Sequence, residues 1–197
     1  MTRDDLAPRV LALRAAQATV LVAIDGPGGS GKSVLAQSVS RATAAAGTPV
    51  SVDGVDDFFL PSEQRLPGAP AEKPIGTDFD WGRLRDQVLA PLRRGEPARY
   101  DRHDWKRDAL VATCEVPPGR VVIVEGVYAS RCELAEFYDL RVWVECPREI
   151  RLARGLARDG EGARQRWDQD WMPAEDRCLE QHRPRERADL VASGAPA

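Results

Sequence analysis

The sequence predicts an α/β fold, a parallel sheet layered between helices, and three observations predict it. Short apolar runs rich in β-branched residues, at 19–24, 121–124 and 140–144, read as strands buried on both faces. Stretches with apolar residues three and four positions apart lie between them and read as helices. A glycine-rich turn at 26–33 joins the first such strand directly to a helix. Strand–helix alternation of this kind argues a three-layer arrangement.

Taken in order, residues 4 to 17 read as a short amphipathic helix with Leu6, Val10 and Leu13 on one face. Thr19 to Ile24 is the first strand. Ser33 to Ala46 is proline-free and alanine-rich, with Val34, Leu35, Val39 and Ala42 assigned to one side and Gly47 as its stop. Pro49 to Asp53 is the second strand and runs into Gly54-Val55-Asp56-Asp57-Phe58-Phe59. From Leu60 to Thr77 the chain holds four prolines among Gly and polar residues, a long loop of the kind that often serves as a lid or binding loop. Asp80 caps a helix of about a dozen residues in which Leu84, Val88 and Leu92 share a face. Residues 98–116 read as extended. Pro147 opens a helix with Arg148, Arg151, Arg154 and Arg158 on one face and Ile150, Leu152, Ala153, Leu156 and Ala157 on the other. A break at Asp159-Gly160-Glu161-Gly162 leads to a polar helix ending near Arg183, and Asp189-Leu190-Val191 reads as a last short strand.

Bulk properties narrow the classes. At 197 residues the chain is one domain with room for a sizeable core. A net charge of −3 gives no basic footprint, so nucleic acid is not an expected partner. Cys114, Cys132, Cys146 and Cys178 are far apart and form no C-x-x-C or zinc spacing. No apolar run reaches membrane-span length and no signal-peptide core opens the chain, so a cytoplasmic location without membrane contact is expected.

The chemistry centres on Gly26-Pro27-Gly28-Gly29-Ser30-Gly31-Lys32-Ser33, which reads G-x-x-x-x-G-K-[ST], the phosphate-binding P-loop. Its glycines let successive backbone N–H groups of Gly26, Gly28, Gly29, Ser30 and Gly31 point into one concavity, and the following helix adds its unpaired N–H groups. Lys32 is expected to reach the β- and γ-phosphates of ATP, with the Ser33 hydroxyl on Mg²⁺. Glu125, at the end of a fully apolar strand, suits a second Mg²⁺-shell carboxylate; an ordinary polar strand end would look the same. Transfer to a hydroxyl needs a carboxylate near the acceptor, and either member of Asp56-Asp57 could supply it. Asp80 reads equally as a helix cap or as an acceptor for substrate hydroxyls. The arginine face precedes a glycine break, as a closing lid over 154–172 would; Arg154 and Arg158 are the candidates for neutralising the transferring phosphoryl.

Together these pieces resemble the uridine kinase-like branch of the P-loop kinases. The resemblance rests on the P-loop, Asp56-Asp57-Phe58-Phe59, Asp78-Phe79-Asp80, Tyr100-Asp101, Val124-Glu125-Gly126, Arg151-Leu152-Ala153-Arg154 through Arg158-Asp159, and Ala188-Asp189. It implies a P-loop NTPase fold with a five-stranded parallel sheet flanked by helices and a helical lid. It implies Asp56 as catalytic base, Asp80 holding ribose hydroxyls, Glu125 in the Mg²⁺ shell, and Arg154 and Arg158 as lid arginines. Tyr100 and His103 fall in the segment that helps enclose the base. The chain departs from that branch with Trp81-Gly82 where His-Pro is usual, and with Arg102-His103-Asp104-Trp105 after the Tyr-Asp pair.

The expected activity is an ATP-dependent kinase acting on a hydroxyl of a small molecule, a ribonucleoside first. Another hydroxyl compound is the alternative, and a homo-oligomer is compatible with either. A nucleotide switch without an acceptor is the reading from another class, but the chain contains no asparagine and so no N-K-x-D motif for guanine.

Overall fold

In the computed structural model, which describes residues 6–195, seven strands form: β1 (Val20–Asp25), β2 (Val50–Gly54), β3 (Ala98–Asp104), β4 (Ala109–Val116), β5 (Val121–Gly126), β6 (Leu140–Glu145) and β7 (Leu190–Ser193). Five make one parallel sheet in the order β2-β5-β1-β6-β7. β3 and β4 stand apart as an antiparallel hairpin, which resolves the stretch that the sequence marks only as extended. The helices are α1 (Leu6–Ala16), α2 (Lys32–Ala45), α3 (Trp81–Leu84), α4 (Ala90–Arg93), α5 (Arg148–Asp159), α6 (Met172–His182) and α7 (Pro184–Arg187). Residues 4 and 5, which the sequence places in the first helix, lie outside the described residues.

Central β1 explains the layering. All six of its residues are buried, and alternate side chains enter different cores. Val20, Val22 and Ile24 pack with Leu6 and Val10 of α1 and Leu35 and Val39 of α2. Leu21 and Ala23 pack with Phe58, Leu84, Val88, Leu92 and Tyr100. A third, smaller cluster joins Trp167, Ala163 and Met172 to the flanks of Leu152 and Leu156.

Two helix faces differ from expectation. In α2, Val34 is 57% exposed and Ala42 also faces water; the inward side is Leu35, Ala36, Val39 and Thr43. In α5, Ala153 and Ala157 face outward, and the buried positions are Arg151 and Gly155 on the arginine side. That side packs on the P-loop, where its guanidinium groups find carboxylate and carbonyl partners, so polar satisfaction outweighs apolar patterning.

α3 and α4 are the two ends of one helix joined through a wider π-turn at Arg85–Leu89, two residues ahead of Pro91. A second π-turn at Arg166–Trp171 stands in the same relation to Pro173 in α6. Proline lacks an N–H and clashes with the carbonyl four residues back, and a wider turn absorbs both effects without ending the helix.

Candidate functional site

The site forms where β1, β2 and β5 end together, at the carboxyl edge of the sheet. After β1 the chain turns through the P-loop. Gly31 has φ +95° and caps α2 in a left-handed conformation that a side chain would strain. Beneath the loop, the buried Asp25 carboxylate accepts hydrogen bonds from Gly26 N–H (2.7 Å), Tyr128 N–H (3.1 Å), Ser130 N–H (2.9 Å) and the Ser130 hydroxyl (2.7 Å). Asp25 therefore ties the P-loop to the segment after β5. Burial raises its pKa, against the Ser130 and Gly26 hydrogen bonds and the charge of Lys32.

Lys32 is buried along its stem, and its Nζ donates to the Pro27 carbonyl at 3.3 Å, folded back over its own loop. Ser33, open to solvent, lies with Oγ 3.1 Å from both oxygens of Glu125. Desolvation raises the Glu125 pKa, the Lys32 charge and the Ser33 hydrogen bond lower it, and the Asp56 charge raises it further. Lys32, Ser33, Glu125 and Asp56 thus share one electrostatic neighbourhood. The hydroxyl and carboxylate are hard oxygen donors that fit Mg²⁺, which usually takes one or two carboxylates and fills its remaining positions with phosphate and water oxygens. Among the described residues no group of three or more His, Cys, Asp or Glu side chains could cage a metal without such a ligand.

The structure separates the two aspartates that follow β2. Asp56 is exposed, and it acts electrostatically on Glu125 and Arg158. Asp57 turns inward: the Tyr100 hydroxyl lies 3.1 Å from its Oδ2 and 2.9 Å from Asp53 Oδ1. One hydroxyl hydrogen cannot serve both carboxylates at once. Burial raises the pKa of both Asp53 and Asp57, the Asp57 charge adding to the rise at Asp53 and the Asp56 charge to that at Asp57. Burial with the charges of Asp53 and Asp57 raises that of Tyr100.

Three predicted residues are placed differently from expectation. Tyr100 is 3% exposed and stacked on Phe58 at 4.8 Å, a core residue whose hydroxyl is spent on Asp53 and Asp57 rather than open to a substrate. His103 is 4% exposed, packed against Phe59 and Trp105, with Nε2 3.6 Å from Asp108, rather than open to a substrate base. Arg154 donates to the Gly29 and Ser30 carbonyls (3.2 and 3.5 Å), so it grips the P-loop through its carbonyls, while the Gly26 and Gly28 N–H groups, expected to point into the phosphate concavity, are spent on Asp25 and Glu175. Asp80 takes the capping role: Oδ1 accepts from Arg83 N–H at 2.9 Å, while its side chain stays partly open. Arg158 is held bidentately by Asp159 (2.7 and 3.0 Å) within reach of the Asp56 charge.

Glu175 was not legible in the sequence. It lies mid-helix in α6, 147 positions after Gly28, yet its Oε1 accepts the Gly28 N–H at 2.8 Å and its Oε2 accepts from Arg151 at 3.1 Å. Both side chains are buried, and Trp167 packs between the P-loop and α5 beside them. Its only sequence cue was a carboxylate among polar helix residues, which is ordinarily solvent-facing.

No family model matches the chain. Among curated proteins it is 30% identical over 142 residues to inorganic pyrophosphatase TTM2 of Arabidopsis thaliana, covering 71% of this chain and 20% of that protein. The chain thus spans about a fifth of the length of the first curated relatives it matches. It is 24% identical over 155 residues to the uridine kinase of Latilactobacillus sakei subsp. sakei, covering 77% and 72% of the two chains. Among solved structures it superimposes on a candidate fructose transport system kinase from Silicibacter sp. TM1040 with TM-score 0.78, 28% identity and coverage of 97% and 98%. The five-stranded parallel sheet with flanking helices is common to that kinase structure and this one. In sequence and in fold, the chain resembles the uridine kinase-like branch of the P-loop kinases.

Proposed function

We propose that this chain is an ATP-dependent kinase that transfers the γ-phosphate to a hydroxyl of a small molecule, with a ribonucleoside such as uridine or cytidine as the leading acceptor. The observation that carries the reading is the gathering of Lys32, Ser33, Glu125 and Asp56 at one sheet edge, with Asp56 the solvent-facing member of its pair. ATP would lie along the P-loop amides and the N-terminus of α2. Ser33 and Glu125 would hold Mg²⁺, which when bound neutralises charge on the β- and γ-oxygens. Lys32 would swing from the Pro27 carbonyl to the phosphates, and Arg158 would face the developing charge from the lid side. Asp56 would orient the acceptor hydroxyl and take its proton.

Two observations favour a second acceptor class, a sugar or other non-nucleoside alcohol. Tyr100 and His103 are buried and one oxygen of Asp80 caps a helix, so two of the three expected nucleoside contacts are closed off and the third is partly engaged. The well-superimposed kinase structure also carries a fructose name. The test is ADP release from ATP·Mg²⁺ against uridine, cytidine, other nucleosides, nicotinamide riboside, pantothenate, fructose and a no-acceptor blank. Strong stimulation by uridine or cytidine supports the leading reading; stimulation by fructose alone replaces it with the second. Asp56→Ala is expected to keep ATP affinity while losing about 10²–10⁴-fold in transfer rate, the usual contribution of a positioned base. Near wild-type transfer by that variant would remove Asp56 from the role.

A further inference from the structure

Helix α6 touches both loops that the proposed reaction needs. Glu175 holds the P-loop through Gly28 N–H and pairs with Arg151. Two residues on, Arg177 Nη1 donates to the Ala71 carbonyl and, at 2.9 Å, to the Lys73 carbonyl, both in the long loop at 60–77. Positions i and i+2 of a helix point about 200° apart, so the two side chains leave opposite sides of α6. The helix is wedged between the loops.

The long loop is closed at its neck and held at its far side. Leu60 N–H donates to the Asp78 carbonyl (2.9 Å), and Asp80 N–H donates to the Phe58 carbonyl (2.8 Å). Inside that neck Lys73 Nζ pairs with Asp78 at 2.8 Å, both ends shielded from solvent. The neck begins next to Asp56 and ends at Asp80, so the loop borders the acceptor side of the proposed site. Its body is reached from α6 through Arg177.

The P-loop contact has a ligand-dependent element. Glu175 lies under the favourable charges of Lys32 and Arg151. Lys32 now rests on the Pro27 carbonyl. A triphosphate arriving on the loop brings negative charge beside Glu175 and draws Lys32 toward itself, so the balance that seats α6 differs between empty and loaded states. A ligand shifts an equilibrium only through such a differential interaction.

We propose that Glu175 and Arg177 are positioning residues that seat the donor loop and the 60–77 loop on one helix, so that nucleotide binding orders the acceptor side. This rests on the reading of the P-loop as the ATP site. The experiment is hydrogen exchange of the full chain with and without ATP·Mg²⁺, comparing wild type with Arg177→Met, Arg177→Lys and Glu175→Gln. In wild type, ATP should slow exchange in both 26–33 and 60–77, the latter by about fivefold or more, the lower end of usual coupling between sites. Arg177→Met should keep the slowing at 26–33 and lose it at 60–77, and Arg177→Lys, which can still donate to both carbonyls, should restore it. Glu175→Gln should retain the Gly28 hydrogen bond but lose the charge response, and with it most of the slowing at 60–77. A 60–77 loop indifferent to ATP in wild type overturns the proposal. So does an Arg177→Met variant that exchanges faster there by the same factor with and without ATP, because that is a merely structural role. Absence of any slowing at 26–33 in wild type would instead overturn the ATP-site reading, and the coupling with it.

Discussion

Adjacent carboxylates of equal sequence standing acquire different chemistry once the chain folds. Asp56 and Asp57 follow the same strand, but the 3₁₀ turn Val55–Phe58 sends one outward and one into contact with Tyr100. Asp57 then shares a single phenolic hydrogen with Asp53 in a site where burial raises both pKa values. Replacing Asp57 by Asn removes a repelling charge while keeping an oxygen for the Tyr100 hydroxyl. Asp57→Asn is therefore expected to melt at a higher temperature than wild type at neutral pH, with the difference shrinking toward pH 4. A lower melting temperature at neutral pH would show that the carboxylate is held by Arg83 and Arg102 more strongly than it is opposed by burial. Asp56 could be singled out in the sequence only through the family resemblance; exposure now distinguishes it independently.

At the scale of elements, small and imino residues inside helices shape the α5 face and the two π-turns. α5 buries its arginine side because Gly155 leaves no side chain between the helix and the Trp167 ring. A Cβ at position 155 would fall inside van der Waals contact with that ring. Gly155→Ala would gain about 1 kcal/mol of helix propensity. Against that, overpacking costs ~1–3 kcal/mol, and here the ring is itself pinned by its Nε1 hydrogen bond to Asp159 at 3.0 Å. The variant is expected to be destabilised in denaturant melts and to show altered tryptophan emission. Unchanged stability would mean that Trp167 can move away freely, and that the P-loop is not braced through it. The two π-turns carry the same lesson: Pro91 and Pro173 were visible inside helical runs, but whether a proline ends a helix or widens a turn depends on what the next turn packs against. Leu92 and Met172, both buried, supply that packing.

Across the whole molecule, buried carboxylates set the pH response. Asp25, Asp53, Asp57, Glu125 and Glu175 all have folded-state pKa values raised by burial. Each binds its proton more tightly folded than unfolded. Its contribution is therefore fully present below the unfolded value of about 4 and is lost as pH rises through the raised folded value. Ion-paired carboxylates act in the other direction: Arg131 holds Glu133 down to about 2, so its contribution is present above about pH 4 and is lost as pH falls toward that value. Stability should peak toward the acid end of the usual range of about pH 5–8 and decline to pH 8. Melting curves across that range test it, and stability that rises steadily to pH 8 would contradict it. No helix among the described residues is long and apolar enough to cross a membrane.

By itself, the sequence determined the α/β layering, the five strands of the sheet, the P-loop and the acids at the strand ends. Those features are local: apolar runs fix buried strands, and glycine spacing fixes a phosphate cradle, whatever surrounds them. Tertiary structure alone decided which polar groups are spent inside the protein. Tyr100 went to a carboxylate pair, Arg154 to the P-loop carbonyls, His103 beneath an aromatic lid, and Glu175 to a backbone N–H 147 residues away. A buried polar group must find its partner wherever the fold supplies one, and sequence spacing carries no record of that partner.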